Sequence, residues 1–416
     1  MNVIKRFKFD VAGLALYKFI QVLSTIIITK ILLQQFSVDE YAQIIILTTI
    51  SQFVLIDTGT GDSLKKHILA GEKEVNNLIV NGFCITAVLS LLISFFLYCF
   101  TYFIPTTQDV NKNSLIIVFA MSFLVMPFKI CREVLSSYQK TYIHSVFLII
   151  FTIMGTLYFL LFNVKSPVQA VIAQQASIVL GNIGCMIYLL YRFNFKFTDI
   201  SISLRQLSRL FPDSARFFII GLSLMIINGI DLLLLDSFGA QSDDITEVSL
   251  ILKICIYMHT FFMFVIYPSW PLLNYLKRNE ALKYKKVKLW LSFFIVIGGA
   301  IVSIILYLLY GRIISYWTNV DIKLQSEVAA GFILFTYFRL LADYIDYFLR
   351  SENIFQIQAI STFAEALFHI ILGYVGWCFS GVLGFSLSLP LSTIICRILP
   401  YLITYSKNRE ALKCKP

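Results

Sequence analysis

Residues 335–350 read FTYFRLLADYIDYFLR, a run apolar enough to lie in a bilayer that still carries Arg339, Asp343, Asp346 and Arg350. With Thr336 ahead of them, they are spaced by three, four, three and four residues, so on a helix they share one face. A charge near the bilayer centre costs roughly 3 kcal/mol or more, so that face must meet other helices or water rather than lipid. Two uses are open for such a stripe. Arg339 and Asp343 could neutralise each other as an i,i+4 packing pair. Alternatively, the stripe lines a polar path.

Similar residues recur on other apolar runs. Lys18, Gln21 and Thr25 share a face in the first, and Thr362, Glu365 and His369 share one in the eleventh. Lys129 belongs to the fourth, Asp231 and Asp236 to the seventh, Lys253 and the deeper His259 to the eighth, and Arg397 to the last. Taken singly, each serves as readily as an interhelical tie or a snorkelling side chain. Together they predict a polar cavity between two halves of the chain. Lys18, Lys129, Lys253, Arg339 and Arg397 make that cavity net cationic despite its acids. Such a cavity suits an anionic substrate, and a guanidinium binds phosphate through two parallel hydrogen bonds.

The elements that position these residues follow from composition. The 416 residues are 58% hydrophobic and 14% charged, with a mean hydropathy of +0.80, which excludes a soluble domain and describes a polytopic helical membrane protein. Twelve spans are predicted, at 11–33, 41–61, 78–104, 114–138, 142–163, 167–191, 214–237, 247–273, 288–310, 326–350, 354–377 and 381–405. The basic N-terminus with Lys5, Arg6 and Lys8 precedes an apolar run too long for a signal peptide and without a small-residue cleavage site, so that run is the first membrane helix.

The net charge of +10 bears on orientation rather than on nucleic acid. With both termini cytoplasmic, about 25 of the 34 basic residues fall inside or at inner helix ends, against about four outside. The longest inside loop holds 199–211, DISISLRQLSRLF, whose second half suits an amphipathic surface helix. The expected organisation is therefore a six-helix bundle over 1–195, a cytoplasmic linker over 196–213 and a second six-helix bundle over 214–416.

An internal repeat supports two pseudo-symmetric halves. Phe128-Lys129 and Phe338-Arg339 stand 210 residues apart, as do Glu133 and Asp343, Lys140 and Arg350, and Arg6-Phe7 and Arg216-Phe217. Both copies begin on the same side, which makes the repeat parallel.

Other chemistries find no support. The segment LIDTGTGDSL, 55–64, has neither the preceding strand nor the GxxxxGK[ST] order of a nucleotide loop, and reads as a helix end. Asp243-Asp244 reads as part of a solvated outer loop, 238–246, too short to build a catalytic site. The eight cysteines form no CxxC or Cys/His cluster, so neither a disulfide framework nor a metal site is expected. No nucleophile or zinc motif appears, and the chain does not read as an enzyme.

Several stretches resemble one family. YAQIIILTTISQFVLIDTGTGDSLKKHIL over 41–69, FKICREVLSSYQKTY over 128–142, Asn228-Gly229-Ile230-Asp231 followed by LLLLDSFG, and Tyr267-Pro268 are similar to the spans of the O-antigen (polysaccharide repeat-unit) flippases, the Wzx family of the MOP superfamily. The resemblance implies twelve helices in two bundles around a central cavity. It implies an undecaprenyl-pyrophosphate-linked repeat unit moved from the cytoplasmic to the periplasmic leaflet of a bacterial inner membrane by alternating access. An O-antigen polymerase and a chain-length regulator are the implied partners, besides the lipid-linked substrate. On this reading Lys18, Lys129, Lys253, Arg339 and Arg397 bind substrate, and Asp57, Asp231, Asp343 and Glu365 gate or couple. No cofactor or metal is implied beyond a coupling proton or sodium. The alternatives are a MATE-like drug or cation antiporter, which would use the acids, and an O-antigen polymerase, which normally needs a large outer loop.

Overall fold

A computed structural model describes residues 3–54, 59–69, 75–101, 120, 125–138, 140–192, 204–319, 325–351 and 356–404. Every regular element described is helical. The first half holds α1 (Val3–Gln35), α2 (Val38–Val54), α3 (Thr60–Leu69) and α4 (Val75–Thr101). A 3₁₀ turn, Met126–Lys129, then runs into α5 (Ile130–Ser137), followed by α6 (Thr141–Leu161) and α7 (Pro167–Arg192). The second half holds α8 (Leu204–Gly229), α9 (Asp231–Phe238), α10 (Ser242–Asn279) and α11 (Ala281–Phe293). It continues with α12 (Gly299–Thr318), α13 (Ser326–Ser351) and α14 (Gln356–Thr393).

Burial runs opposite to that of a soluble protein. Phe95 and Leu308 are 67% and 69% exposed, whereas Glu365 and Arg397 are 0% and 1% exposed. Eight described helices are long and apolar enough to cross a bilayer, or nine if the bent pair α8–α9 is one span. One of these passes, 357–404, is 48 residues long, more than twice what one crossing requires. Ser380 and Gly381 leave helical geometry there, Gly381 with φ of 59°, and divide α14 into two arms. The arms return side by side: a Cβ on Gly376 would collide with the carbonyl oxygen of Gly384. The chain is a multi-pass membrane protein, consistent with the twelve expected spans.

Local sequence explains several boundaries. Ser37 and Glu40 form a reciprocal capping box: the Ser37 N–H donates to Glu40 Oε2 at 2.9 Å and the Glu40 N–H to Ser37 Oγ at 3.3 Å, which starts α2. Gly229 ends α8, and α9 leaves it at 58°. Asp243 and Asp244 fall in the first turn of α10, where carboxylates favour the positive end of the helix dipole. The connection is therefore shorter than the outer loop expected over 238–246.

The chain groups into two compact units, Met1–Ser237 and Phe238–Pro416. In unit 1, α6 packs on α1 and α7, and α3 packs on α5 and α8 around Leu64, Leu78, Val134, Leu189 and Leu210. The part of the expected linker within the described residues, 204–213, and the start of the seventh span form the single helix α8, with Pro212 inside it; 196–203 lie outside the described residues. Leu210 is buried in that core, and Ser63 Oγ donates to its carbonyl at 3.2 Å. These contacts explain why 204–229 group with the first half. In unit 2, α10 packs on α13, which packs on α14, around Phe262, Ile295 and Leu340.

The repeat is visible in the helices. Shifted by 210 residues, α4 falls inside the 282–318 pass, α2 inside α10, and α7 largely on the second arm of α14.

Candidate functional site

Among the described residues, each unit holds a polar centre. In unit 1 a cavity of about 260 Å³ opens among α1, α5, α6 and α7 and is lined by Lys18, Lys129, Arg132, Glu133, His144 and Asn182, with apolar and hydroxyl side chains between them. Lys18 Nζ donates to Gln21 Oε1 at 2.9 Å, one turn along α1, and lies 5.5 Å from the Tyr17 ring. His144 Nε2 lies 3.1 Å from Asn182 Oδ1, and Asn182 Nδ2 donates to the Ile178 carbonyl at 2.8 Å. An amide with its nitrogen bonded in this way presents its oxygen to the imidazole, which makes Nε2–H the donor.

Charge in this cavity is one-sided. Among the described residues, three basic side chains line it against one carboxylate, Glu133. That carboxylate is already compensated, by Lys65 at 3.3 Å and Arg132 at 3.5 Å. The surplus is positive, in a wall of low polarisability where an anion gains more than in water.

In unit 2 the charges are buried and paired. Arg397 Nη2 donates to Asp343 Oδ1 at 2.5 Å, and its Nε stands 3.3 Å from Glu365 Oε2. Asp343 Oδ2 receives His259 Nε2 at 2.8 Å, and Glu365 Oε1 accepts from Thr393 Oγ1 at 2.6 Å. Asp346 accepts from Tyr401 Oη at 3.2 Å. Four strands of sequence thus meet, from α10, α13 and both arms of α14. Arg397 sits in a π-helical turn, Ile394–Ile398, just past Pro390. Proline removes a backbone N–H and crowds the preceding turn, and the extra residue of a π turn re-aims the side chains that follow.

The expected site residues divide accordingly. Lys18 and Lys129 line the unit 1 cavity. Asp343, Glu365 and Arg397 form one cluster in unit 2, and Arg339 on α13 lies within electrostatic reach of Asp343 and His259. Arg397 is enclosed between its two carboxylates rather than lining an open wall. Lys253 is half-buried on α10, and Asp231 is buried at the start of α9. Asp57 lies outside the described residues. Arg132, His144 and Asn182 were not singled out from sequence. The available signal was a polar face on α6, Thr141, His144 and Ser145, of which His144 and Ser145 continue to Leu148 at helical spacing.

No protein-family model matches the sequence, and no curated protein matches it. Solved structures do match. An inward-facing multidrug-resistance MATE transporter of the MOP superfamily aligns with a TM-score of 0.71 at 12% identity, over 94% of this chain and 96% of that one. The lipid II flippase MurJ in an inward closed conformation aligns with a TM-score of 0.71 at 13% identity, over 94% and 87%. A MOP-superfamily transporter from Pyrococcus furiosus, described as having a binding pocket of reversed polarity, aligns with a TM-score of 0.63 at 12% identity, over 97% and 95%. The chain has the fold of the MOP-superfamily transporters. At this identity the likeness establishes the fold, and its neighbours are transporters and a flippase.

Proposed function

We propose that the chain is a flippase that carries an undecaprenyl-pyrophosphate-linked polysaccharide repeat unit to the outer leaflet of a bacterial inner membrane. The observation that carries this reading is the cationic cavity of unit 1. At about 260 Å³ it lies below the ~300–1,000 Å³ common for drug-sized ligands, which suits a phosphate or pyrophosphate group rather than a whole oligosaccharide. Lys18 and Lys129 would hold that group, with Arg132 supplying a planar fork. Lys253 and Arg339 are assigned to the same anion's path. The remaining acids, Asp57, Asp231, Asp343 and Glu365, balance charge, gate or couple to an ion gradient, with Arg397 as a counter-ion.

The two six-helix halves would expose the cavity to each side in turn, with both termini cytoplasmic. The polymerase and chain-length regulator of the same assembly are the proposed partners. A MATE-like cation antiporter has equal support from the fold. It would need an uncompensated carboxylate in its cavity, and Glu133, the acid lining this one, is compensated twice.

Deleting the gene in its own host and resolving the surface polysaccharide on a gel tests the reading. Complete loss of the polysaccharide, with lipid-linked repeat units held on the cytoplasmic side, is the expected result. Core capped by a single repeat unit would point to a polymerase instead. An unchanged ladder would overturn the flippase and send attention to drug efflux.

A further inference from the structure

The unit 2 cluster is built asymmetrically. Arg397 is shared by two carboxylates but held unequally, at 2.5 Å by Asp343 and 3.3 Å by Glu365. Glu365 Oε2 and the Nε and Nη1 of Arg397 are fully buried and complete no hydrogen bond with one another. Asp343, by contrast, has both oxygens engaged, one by Arg397 and the other by His259. A small displacement of the guanidinium toward Glu365 would reverse the inequality. While His259 is neutral, Asp343 is compensated by Arg397 at 2.5 Å, with Arg339 adding to it from its own helix.

His259 can change that. Its Nε2 faces a carboxylate oxygen, so Nε2 carries hydrogen in either charge state, and the group that gains a proton is Nδ1. The charged groups acting on His259 are Asp343 and Arg339 from α13 and Arg397 from the end of α14. Beside this part of α10 the neighbouring helices place uncharged groups among the described residues: Phe294 meets Phe262, and Ser303 meets Met258. Beyond Asp343 the cluster contains Glu365, Asp346 and Tyr401, and His369 lies one turn past Glu365 with its ring 5.4 Å from Phe335.

We propose that His259 is a proton-binding site whose occupancy hands Arg397 from Asp343 to Glu365. A proton from water adds to Nδ1, the imidazolium pairs with Asp343, and Arg397 completes its pairing with Glu365. No covalent bond other than the new N–H changes. Before the proton arrives one guanidinium serves two carboxylates; afterwards each carboxylate has its own cation, so the added charge is compensated inside the cluster rather than exposed to the bilayer. The exchange spans α10, α13 and both arms of α14, so it re-pairs helices rather than a local loop. Its use as the coupling step of transport rests on the function proposed above; the binding site itself does not.

The test is nitrogen NMR on the full-length protein, labelled at histidine and arginine, in lipid nanodiscs. The His259 signals are assigned by their loss in His259→Gln and distinguished from His369 by His369→Gln. The Arg397 Nε signal is assigned by Arg397→Lys. His259 should titrate as a single group. Arg397 Nε should move with the same midpoint. In Glu365→Gln the Arg397 signal should stay still, because the amide oxygen that remains carries no charge to draw the guanidinium from Asp343, and the His259 midpoint should fall. A His259 that does not titrate in the wild type, or an Arg397 signal indifferent to it, overturns the proposal. Exchange of labelled substrate at equal pH on both sides of a proteoliposome reads the transport function separately. Exchange without stimulation by a pH gradient would refute the coupling while leaving transport intact. Stimulation by a sodium gradient alone would refute it as well.

Discussion

Replacing Arg397 with methionine removes the cation from a site where both of its partners are buried, Glu365 at 0% and Asp343 at 8% exposure. Deleting one partner of a buried ion pair typically costs about 3–5 kcal/mol, because the other charge is left uncompensated. Here two are left, but unequally. Asp343 retains His259 at 2.8 Å, which can become cationic, whereas Glu365 retains the Thr393 hydroxyl at 2.6 Å. Most of the loss should therefore be traceable to Glu365. Arg397→Met alone is expected to lower the unfolding midpoint of the purified protein by several degrees. Adding Glu365→Gln should restore more than half of that, and adding Asp343→Asn should restore less. The assay is tryptophan fluorescence on heating in detergent, with size-exclusion chromatography to confirm a monodisperse sample. The methionine stem is long and apolar enough to fill most of the space left by the guanidinium, so cavity formation is a small part of the change. An unchanged midpoint in Arg397→Met would refute the reasoning. So would a double variant, Arg397→Met with Glu365→Gln, in which the two losses simply add.

Three further outcomes follow from the same geometry. Lys18→Gln should lower transport on the order of tenfold, the equivalent of ~1.4 kcal/mol of charge-assisted contact, while Lys18→Arg keeps most of it; export of labelled repeat units in vesicles measures this. Arg339→Ala should abolish transport while protein levels stay normal, with Asp343→Asn milder; full activity in Arg339→Ala would assign that side chain to packing. Gly376→Ala should cost ~1–3 kcal/mol or more and reduce the yield of folded protein, because the new methyl group meets backbone of the opposite arm. Gly311→Ala, where an added Cβ meets nothing within 4 Å, should be tolerated.

Much of this was legible in the sequence because bilayer chemistry writes it plainly. Apolar runs of span length gave the helices, and a charge inside such a run has few places to go. The face formed by Arg339, Asp343 and Asp346 could be drawn before any coordinates. Partners could not. That Arg397 would reach Asp343, 54 residues away, depends on the reversal at Ser380–Gly381 and on the π turn at Ile394–Ile398, and neither is encoded in periodicity. The same holds for His144 and Asn182. Each looked like an isolated polar residue until α6 and α7 packed together. The amphipathic segment 199–211 was readable as a helix over its second half, but not its merger with the next span, since Pro212 reads as a break. Proline is tolerated there because neighbouring structure offsets the lost hydrogen bond.

The repeat shows how one ancestral arrangement can hold two different chemistries. At the 210-residue offset, Lys129 corresponds to Arg339 and Glu133 to Asp343, so both units place a cation and an acid four residues apart at the same point of the fold. What differs is the source of the compensating charge. Glu133 takes Lys65 and Arg132, whose counterparts in unit 2 are Tyr275 and Ala342. Asp343 takes His259 and Arg397, whose counterparts in unit 1 are Thr49 and Ile187. Glu365 corresponds to Gly155, and Lys18 to Asn228. Unit 1 thereby carries surplus positive charge around a cavity, and unit 2 carries a closed cluster in which an acid was added along with each cation. A surplus attracts an anion from outside, whereas a closed cluster responds to a proton. Changing the charge of unit 1 tests that division. Adding an acid to the unit 1 lining as Asn182→Asp should weaken anion binding at the Lys18 cavity, and binding of inorganic pyrophosphate followed by calorimetry would show it. An unchanged affinity would mean that the cavity's charge is not what holds the anion.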